Sequence, residues 1–179
     1  MFNRDALIDL IREKSLQWGE FVLSSGKKAD YYLDCRNVTL HPIGANLIAD
    51  RMLELMEGKM PDAVGGMAIG ADPITAAIIT RAGQRDIPLR GFIVRKEAKE
   101  HGKGKAVEGP VESGDRVVIV EDVVTTGGSS LRAIEHAQKA GLVIDGVLAI
   151  VDRLEGGKEA FADAGFELRT LLTIDDFRQ

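Results

Sequence analysis

The sequence predicts an α/β fold, a mainly parallel sheet flanked by helices behind a small N-terminal hairpin, and three observations carry that expectation. From Ala63 onward, short apolar runs alternate with segments of helical periodicity, the pattern of parallel strands joined by crossover helices. Val117 to Val120 is a wholly apolar, β-branched run, as in a strand buried on both faces. A chain of 179 residues also suits one unit with a sizeable core, so residues 1–179 are taken as a single domain, with residues 1–40 supplying its N-terminal portion.

Taken in order, Ala6, Leu7, Leu10 and Ile11 recur at helical spacing over residues 5–17, with Asn3 or Asp5 available as a cap. Residues 20–36 read as a hairpin, with a strand to Leu23, a turn around Gly26 and a strand from Tyr31. Tyr31 and Tyr32 are adjacent, so on a strand they face opposite ways and at most one is in the core. His41-Pro42 opens a helix whose apolar stripe is Leu47, Ile48, Leu53 and Met56, since proline suits a first turn. Ala63–Ile69 reads as a strand with Gly70–Pro73 as its tip, followed by a helix over Ile74–Ala82.

Leu89–Val94 is the next strand. It runs into Arg95–Pro110, a charged, glycine-punctuated segment read as one long loop; at about sixteen residues it is longer than a plain connector. Val117–Val120 is followed by Glu121 and Asp122, placed where that strand should end. A helix carrying Leu131, Ile134 and Ala137 comes next. Val143–Val151 is another buried strand, ending in Asp152-Arg153. Gly157–Ala164 reads as a helix, Phe166–Leu172 as a last strand and Ile174–Phe177 as a terminal turn.

The formal charge of −5 argues against a general nucleic-acid binder. A single cysteine, Cys35, rules out an internal disulfide and a cysteine-based zinc cluster, and it reads as a small buried residue in a reducing cytoplasm. No signal peptide and no bilayer-spanning run is expected.

The chemistry concentrates in residues 116–130. Thr125, Thr126, Ser129 and Ser130 offer hydroxyls, and Gly127 and Gly128 let backbone N–H groups come close to a ligand. The next helix points its N-terminus at the same place, which favours a phosphate there. The carboxylates just upstream can accept hydrogen bonds from sugar hydroxyls, so the combination suits a ribose 5-phosphate. Taken alone, Thr125–Ser130 fits an ordinary βα turn capped by Thr or Ser equally well.

The whole stretch resembles the phosphoribosyl-pyrophosphate (PRPP) motif of the type I phosphoribosyltransferases: apolar strand, two acids, apolar pair, then T-x-G-x-[ST]. F-x-L-x-S-G-x-x-x-x-Y-Y, starting at Phe21, is similar to the N-terminal signature of the orotate phosphoribosyltransferases, where the hairpin is a hood over the pyrimidine. Arg95-Lys-Glu-Ala-Lys-Glu-His-Gly102 resembles their catalytic loop. Two departures stand out: Ser24 where several members carry Lys, and Ile69-Gly70 where many carry an aromatic–Lys pair.

The resemblance implies the type I phosphoribosyltransferase fold and transfer of phosphoribose from PRPP to orotate, with Mg2+ held mainly by substrate and water rather than by a protein cage. It implies PRPP contacts from Arg95, Lys96, Lys99, His101, Glu121, Asp122, Val123, Val124, Thr125, Thr126, Gly127, Gly128 and Ser129. Lys99, His101 and Asp122 are the catalytic candidates, and Thr125 and Arg153 the orotate contacts. It further implies a cytoplasmic homodimer with shared active sites, whose mobile catalytic loop serves the neighbouring subunit, with no nucleic acid or membrane partner. Two alternatives remain open: transfer to another base, and a PRPP-sensing regulator of the same fold.

Overall fold

The computed structural model describes residues 2–22, 28–97 and 106–178. Helix α1 (Arg4–Lys14) is capped by Asn3, whose side chain accepts from the Ala6 N–H, and it buries Leu7, Ile8 and Ile11. Strands β1 (Leu16–Val22) and β2 (Lys28–Leu33) pair antiparallel with Trp18 opposite Tyr31, so the expected hairpin is present. A short helix without a sequence signal, α2 (Arg36–Thr39), leads into α3 (Pro42–Met56), which begins on its proline.

The main sheet contains β3 (Ala63–Met67), β4 (Arg90–Val94), β5 (Val107–Glu108), β6 (Arg116–Val124), β7 (Val143–Asp152) and β8 (Leu168–Thr173). Its order is β5-β4-β3-β6-β7-β8, parallel throughout except for the edge strand β5. Helices α4 (Ala71–Gly83), α5 (Gly128–Lys139) and α6 (Gly157–Asp163) make the connections, and Ile174–Phe177 is a 3₁₀ turn. The expected mainly parallel, helix-flanked architecture is therefore what forms.

The core lies on both faces of the sheet. Val118 and Val120 belong to a cluster shared with α1, α3 and α4, whereas Val117 and Ile119 belong to one shared with α5 and α6. That is the period-2 alternation of a strand buried on both sides.

Helix α1 ends at Lys14 rather than residue 17, and the hairpin strands begin earlier than expected, at Leu16 and Lys28; three other boundaries differ for a local reason. Helix α4 starts at Ala71 rather than Ile74, because Pro73 sits in its first turn, where no N–H is needed. The segment 95–110 is not loop throughout: Val107 is buried and pairs with Val94, which recruits β5 onto the sheet edge. Strand β6 does not stop before its acids. It runs on to Val124, because β7 is long enough to pair with it as far as Asp152.

Candidate active site

Chain order and sheet order together locate the cleft. After β3 the chain moves outward to β4, and it then returns to the other side of β3 as β6 and continues to β7 and β8. The strand order reverses between β3 and β6. The crossovers leave in opposite directions there, and a crevice opens at the strands' carboxyl ends. The segments facing it are residues 68–70 after β3 and residues 125–128 after β6.

Two adjoining hollows occupy this position. One, of about 530 Å3, is lined by Glu121, Val123–Ser130 and Arg132. The other, of about 350 Å3, is lined by residues including Tyr32, Asp34, Arg36, Met67–Gly70, Lys96, Asp122 and Ser129. Glu121, Val123 and Ser129 border both, so they are two lobes of one cleft. Each is large enough for part of a small ligand.

The first lobe is built for an anion. Helix α5 starts from Gly127, in the left-handed region at φ 79°, and no side chain caps it. The Thr or Ser cap of an ordinary turn is thus absent, and the first-turn N–H groups point into the lobe without an internal acceptor. Glycine is required at 127 for two reasons: the positive φ, and a Cβ there would lie 3.2 Å from the Phe161 ring. Arg132, one turn into α5, adds a cation that the motif did not point to. Its signal in the sequence is only that it follows Gly128 at the i+4 spacing of one helix face.

The acidic pair is split by the strand that carries it. Because β6 continues through both residues, alternation turns Glu121 toward α5 and Asp122 toward α4. Glu121 is buried, and its Oε2 accepts from the Ser130 hydroxyl at 2.7 Å. Burial, followed by the nearby Asp122 charge, raises its carboxyl from the ordinary 4.5 to about 8, with the Ser130 hydrogen bond opposing. Glu121 is therefore mostly protonated at neutral pH and can donate as well as accept. Asp122 is half-buried in the second lobe, against the start of α4. A Cβ on Gly70 would lie 2.9 Å from its Oδ1, so glycine at 70 is what lets the loop after β3 close on this carboxylate.

The cleft brings together Lys96, Glu121, Asp122, Val123, Val124, Thr125, Thr126, Gly127, Gly128 and Ser129 of the expected set. Arg95 is directed to the sheet edge, where its Nε donates to Glu108 at 2.6 Å. Lys99, His101 and Ser24 lie outside the described residues.

Arg153 lines neither lobe. It follows β7 with its N–H on the Val124 carbonyl, which sets it beside Thr125, but its side chain packs toward the hairpin. Its Nε donates to the Tyr31 hydroxyl at 2.7 Å, its guanidinium lies 4.7 Å from that ring's centroid, and Glu155 pairs with it at 2.8 Å. Tyr31 is buried, while Tyr32 is exposed and borders the second lobe, as adjacent strand residues must be. Among the described residues, no cluster of three or more His, Cys, Asp or Glu could hold a metal ion, and no helix is long and apolar enough to cross a membrane.

Comparison with known proteins agrees with this geometry. The phosphoribosyl transferase domain family matches residues 36–167. The chain is 61% identical to an orotate phosphoribosyltransferase of Rhodopirellula baltica, over 98% of this chain and 95% of that protein. It resembles the crystal structure of the Mycobacterium tuberculosis orotate phosphoribosyltransferase at a TM-score of 0.87 and 40% identity, covering 98% of this chain and 99% of that one. A complex of the same mycobacterial enzyme with PRPP aligns at a TM-score of 0.83 and 36% identity, over 98% of this chain and 99% of that one.

Proposed function

The chain belongs to the phosphoribosyl transferase family, and from that we propose that it works as an orotate phosphoribosyltransferase, moving ribose 5-phosphate from PRPP to orotate. The products are orotidine 5′-monophosphate and pyrophosphate, a step of pyrimidine biosynthesis. The observation that carries the reading is the two-lobed cleft at the strand-order reversal. Residues suited to an anion line one lobe, Asp122 and Lys96 both border the second, and Glu121 borders both.

In this reading the 5′-phosphate sits on the N–H groups and hydroxyls of Thr125–Ser129, with Arg132 balancing its charge. Asp122 accepts from the ribose hydroxyls, and Glu121 borders both ends of the sugar. Lys96 faces the diphosphate, joined by Lys99 and His101. The bond from ribose C1 to the pyrophosphate oxygen breaks with its electron pair going to pyrophosphate, C1 bonds to N1 of orotate, and the N1 proton passes to the departing pyrophosphate. An oxocarbenium-like C1 is stabilised by the neighbouring Asp122 carboxylate, while the cations take up the charge leaving on pyrophosphate. Alignment of the two reactants is the protein's other contribution.

The donor set fits Mg2+ carried mainly by substrate and water: of the carboxylates bordering the second lobe, Asp34 is clamped to Arg36 and Glu121 is engaged with Ser130, which leaves Asp122 without a side-chain partner of that kind among the described residues. When bound, the ion neutralises pyrophosphate charge; Asp122 would hold it through hydrogen bonds to its water. We assign the active form as a homodimer whose subunits share residues of the 95–101 segment. A reaction on soluble substrates, in a chain whose sole cysteine is a buried thiol raised by that burial, is assigned to the cytoplasm.

The test is radiolabelled PRPP with orotate, uracil, adenine and hypoxanthine in parallel; nucleotide should form with orotate alone. Transfer to a different base, or to none, would remove the orotate reading. Tyr31 and Glu155 hold one edge of Arg153, leaving Nη1 for a substrate carboxylate. Arg153→Ala is accordingly expected to raise the KM for orotate at least about tenfold, by leaving that carboxylate unpaired. PRPP affinity measured without orotate should change less than twofold, and equal losses for both substrates would make Arg153 structural.

A further inference from the structure

The end of β3 and the loop after it bring Met67, Ala68, Ile69 and Gly70 to the second lobe and no cationic side chain. A diphosphate leaving from that lobe would find Lys96 there, and one other described cation borders the same space: Arg36, the first residue of α2. It comes from a separate part of the chain, immediately beyond the hairpin.

Arg36 is held in one orientation. Its Nε and Nη2 donate to Oδ1 and Oδ2 of Asp34, both at 2.8 Å, and its backbone N–H donates to Asp34 Oδ1 at 3.1 Å. This two-point clamp uses one edge of the guanidinium and leaves Nη1 facing outward. Asp34 is largely covered, whereas about half of the Arg36 side chain is open to solvent. Asp122, across the lobe, is close enough that its charge joins Asp34 in raising the Arg36 pKa.

We propose that Arg36 is a binding residue of this site, a fixed cation for the diphosphate of PRPP and for the pyrophosphate product, positioned by Asp34. The assignment rests on the PRPP-dependent reading above and extends it to a residue outside the three sequence motifs. The diphosphate is favoured over the base because Arg36 shares its lobe with Lys96, Asp122 and the 68–70 loop. The arginine against the buried ring of the hairpin is Arg153. An i, i+2 ion pair at a chain corner also forms with no ligand role, since exposed pairs contribute little to stability. The experiment must separate the two.

Wild type, Arg36→Ala, Arg36→Lys and Asp34→Asn are compared by calorimetric titration with magnesium pyrophosphate and by steady-state kinetics in both directions. Removing a charge-assisted contact should weaken pyrophosphate binding, and raise the KM for PRPP, about tenfold in Arg36→Ala. The KM values for orotate and orotidine 5′-monophosphate should stay within twofold. Arg36→Lys should recover part of the loss, because it restores the charge without the fork, and Asp34→Asn should fall between Arg36→Ala and wild type. An unchanged pyrophosphate affinity in Arg36→Ala makes the pair a surface ion pair only. A loss confined to orotate moves Arg36 to the base, and both results overturn the proposal. If wild type binds pyrophosphate but does not use orotate, the base assignment fails while the titration still decides Arg36. Should Arg36→Ala unfold, Arg36→Lys in the same titration carries the decision.

Discussion

Asp122→Asn is expected to weaken PRPP binding by about two orders of magnitude and leave the fold intact. Each charge-assisted hydrogen bond to a ribose hydroxyl contributes on the order of 1.5–3 kcal/mol, and two weakened together account for about a hundredfold. The fold is spared because the described hydrogen bond of this side chain is local. Its Oδ1 accepts from the Val123 N–H at 2.8 Å, which an asparagine oxygen also does. Titration with PRPP and magnesium measures the first quantity and thermal unfolding the second. Unchanged affinity would leave Asp122 as a strand residue without a ligand role. Lys99→Ala should instead lower kcat, by on the order of a hundredfold, with a much smaller effect on orotate affinity. Mixing the two impaired variants, at a PRPP concentration where each alone turns over slowly, then tests shared sites. If Lys99 serves the neighbouring subunit, a heterodimer has one site with both lesions and one with neither, so activity should return. Confirmed subunit exchange with no recovery would put Lys99 in its own subunit's site.

Glu121→Gln should make the protein more stable at pH 8 than wild type, by on the order of 4 kcal/mol, with little difference at pH 4. The sign follows from the raised carboxyl, about 8 in the folded chain against an ordinary 4.5. Below pH 4.5 both states hold the proton and burial carries no ionisation penalty. As pH climbs from 4.5 to about 8 the unfolded chain releases its proton while the folded chain retains it, so wild-type stability falls across that window. A glutamine does not titrate, and its side-chain oxygen still accepts from Ser130. Acids that do not interact with position 121 titrate alike in both proteins and cancel in the difference. Urea unfolding at several pH values gives the curves; parallel profiles would show that Glu121 is ionised in the folded state. The same variant should bind PRPP with less pH dependence between 6 and 9, because its partner for the sugar no longer changes charge.

Much of this molecule was legible from residue order. The apolar run Val117–Val120 declares a strand buried on both faces, because a parallel sheet covered by helices permits no polar side. Gly127-Gly128 after two threonines declares a turn with accessible N–H groups, since glycine takes the left-handed backbone found at 127 without a Cβ penalty. The proposed phosphate cradle is contiguous in the chain, so the residue types that suggest it and the turn that presents them lie in one stretch.

What only tertiary structure decided is everything that depends on which strands are neighbours. That Glu121 and Asp122 work on opposite sides follows from the extension of β6 to Val124, which a long β7 permits by pairing with it. The acids alone carry no sign of that, because a strand's end is set by its partner's length. Residue order likewise could not place Tyr31 under Arg153, 122 positions apart in the chain, or bring Arg36 across from Lys96. Those meetings exist because the strand order reverses between β3 and β6, which leaves the hairpin and α2 facing the crevice. Local pattern specifies a strand or a loop through the chemistry of adjacent residues. A cleft between strands 50 residues apart is specified by the packing of both sheet faces at once.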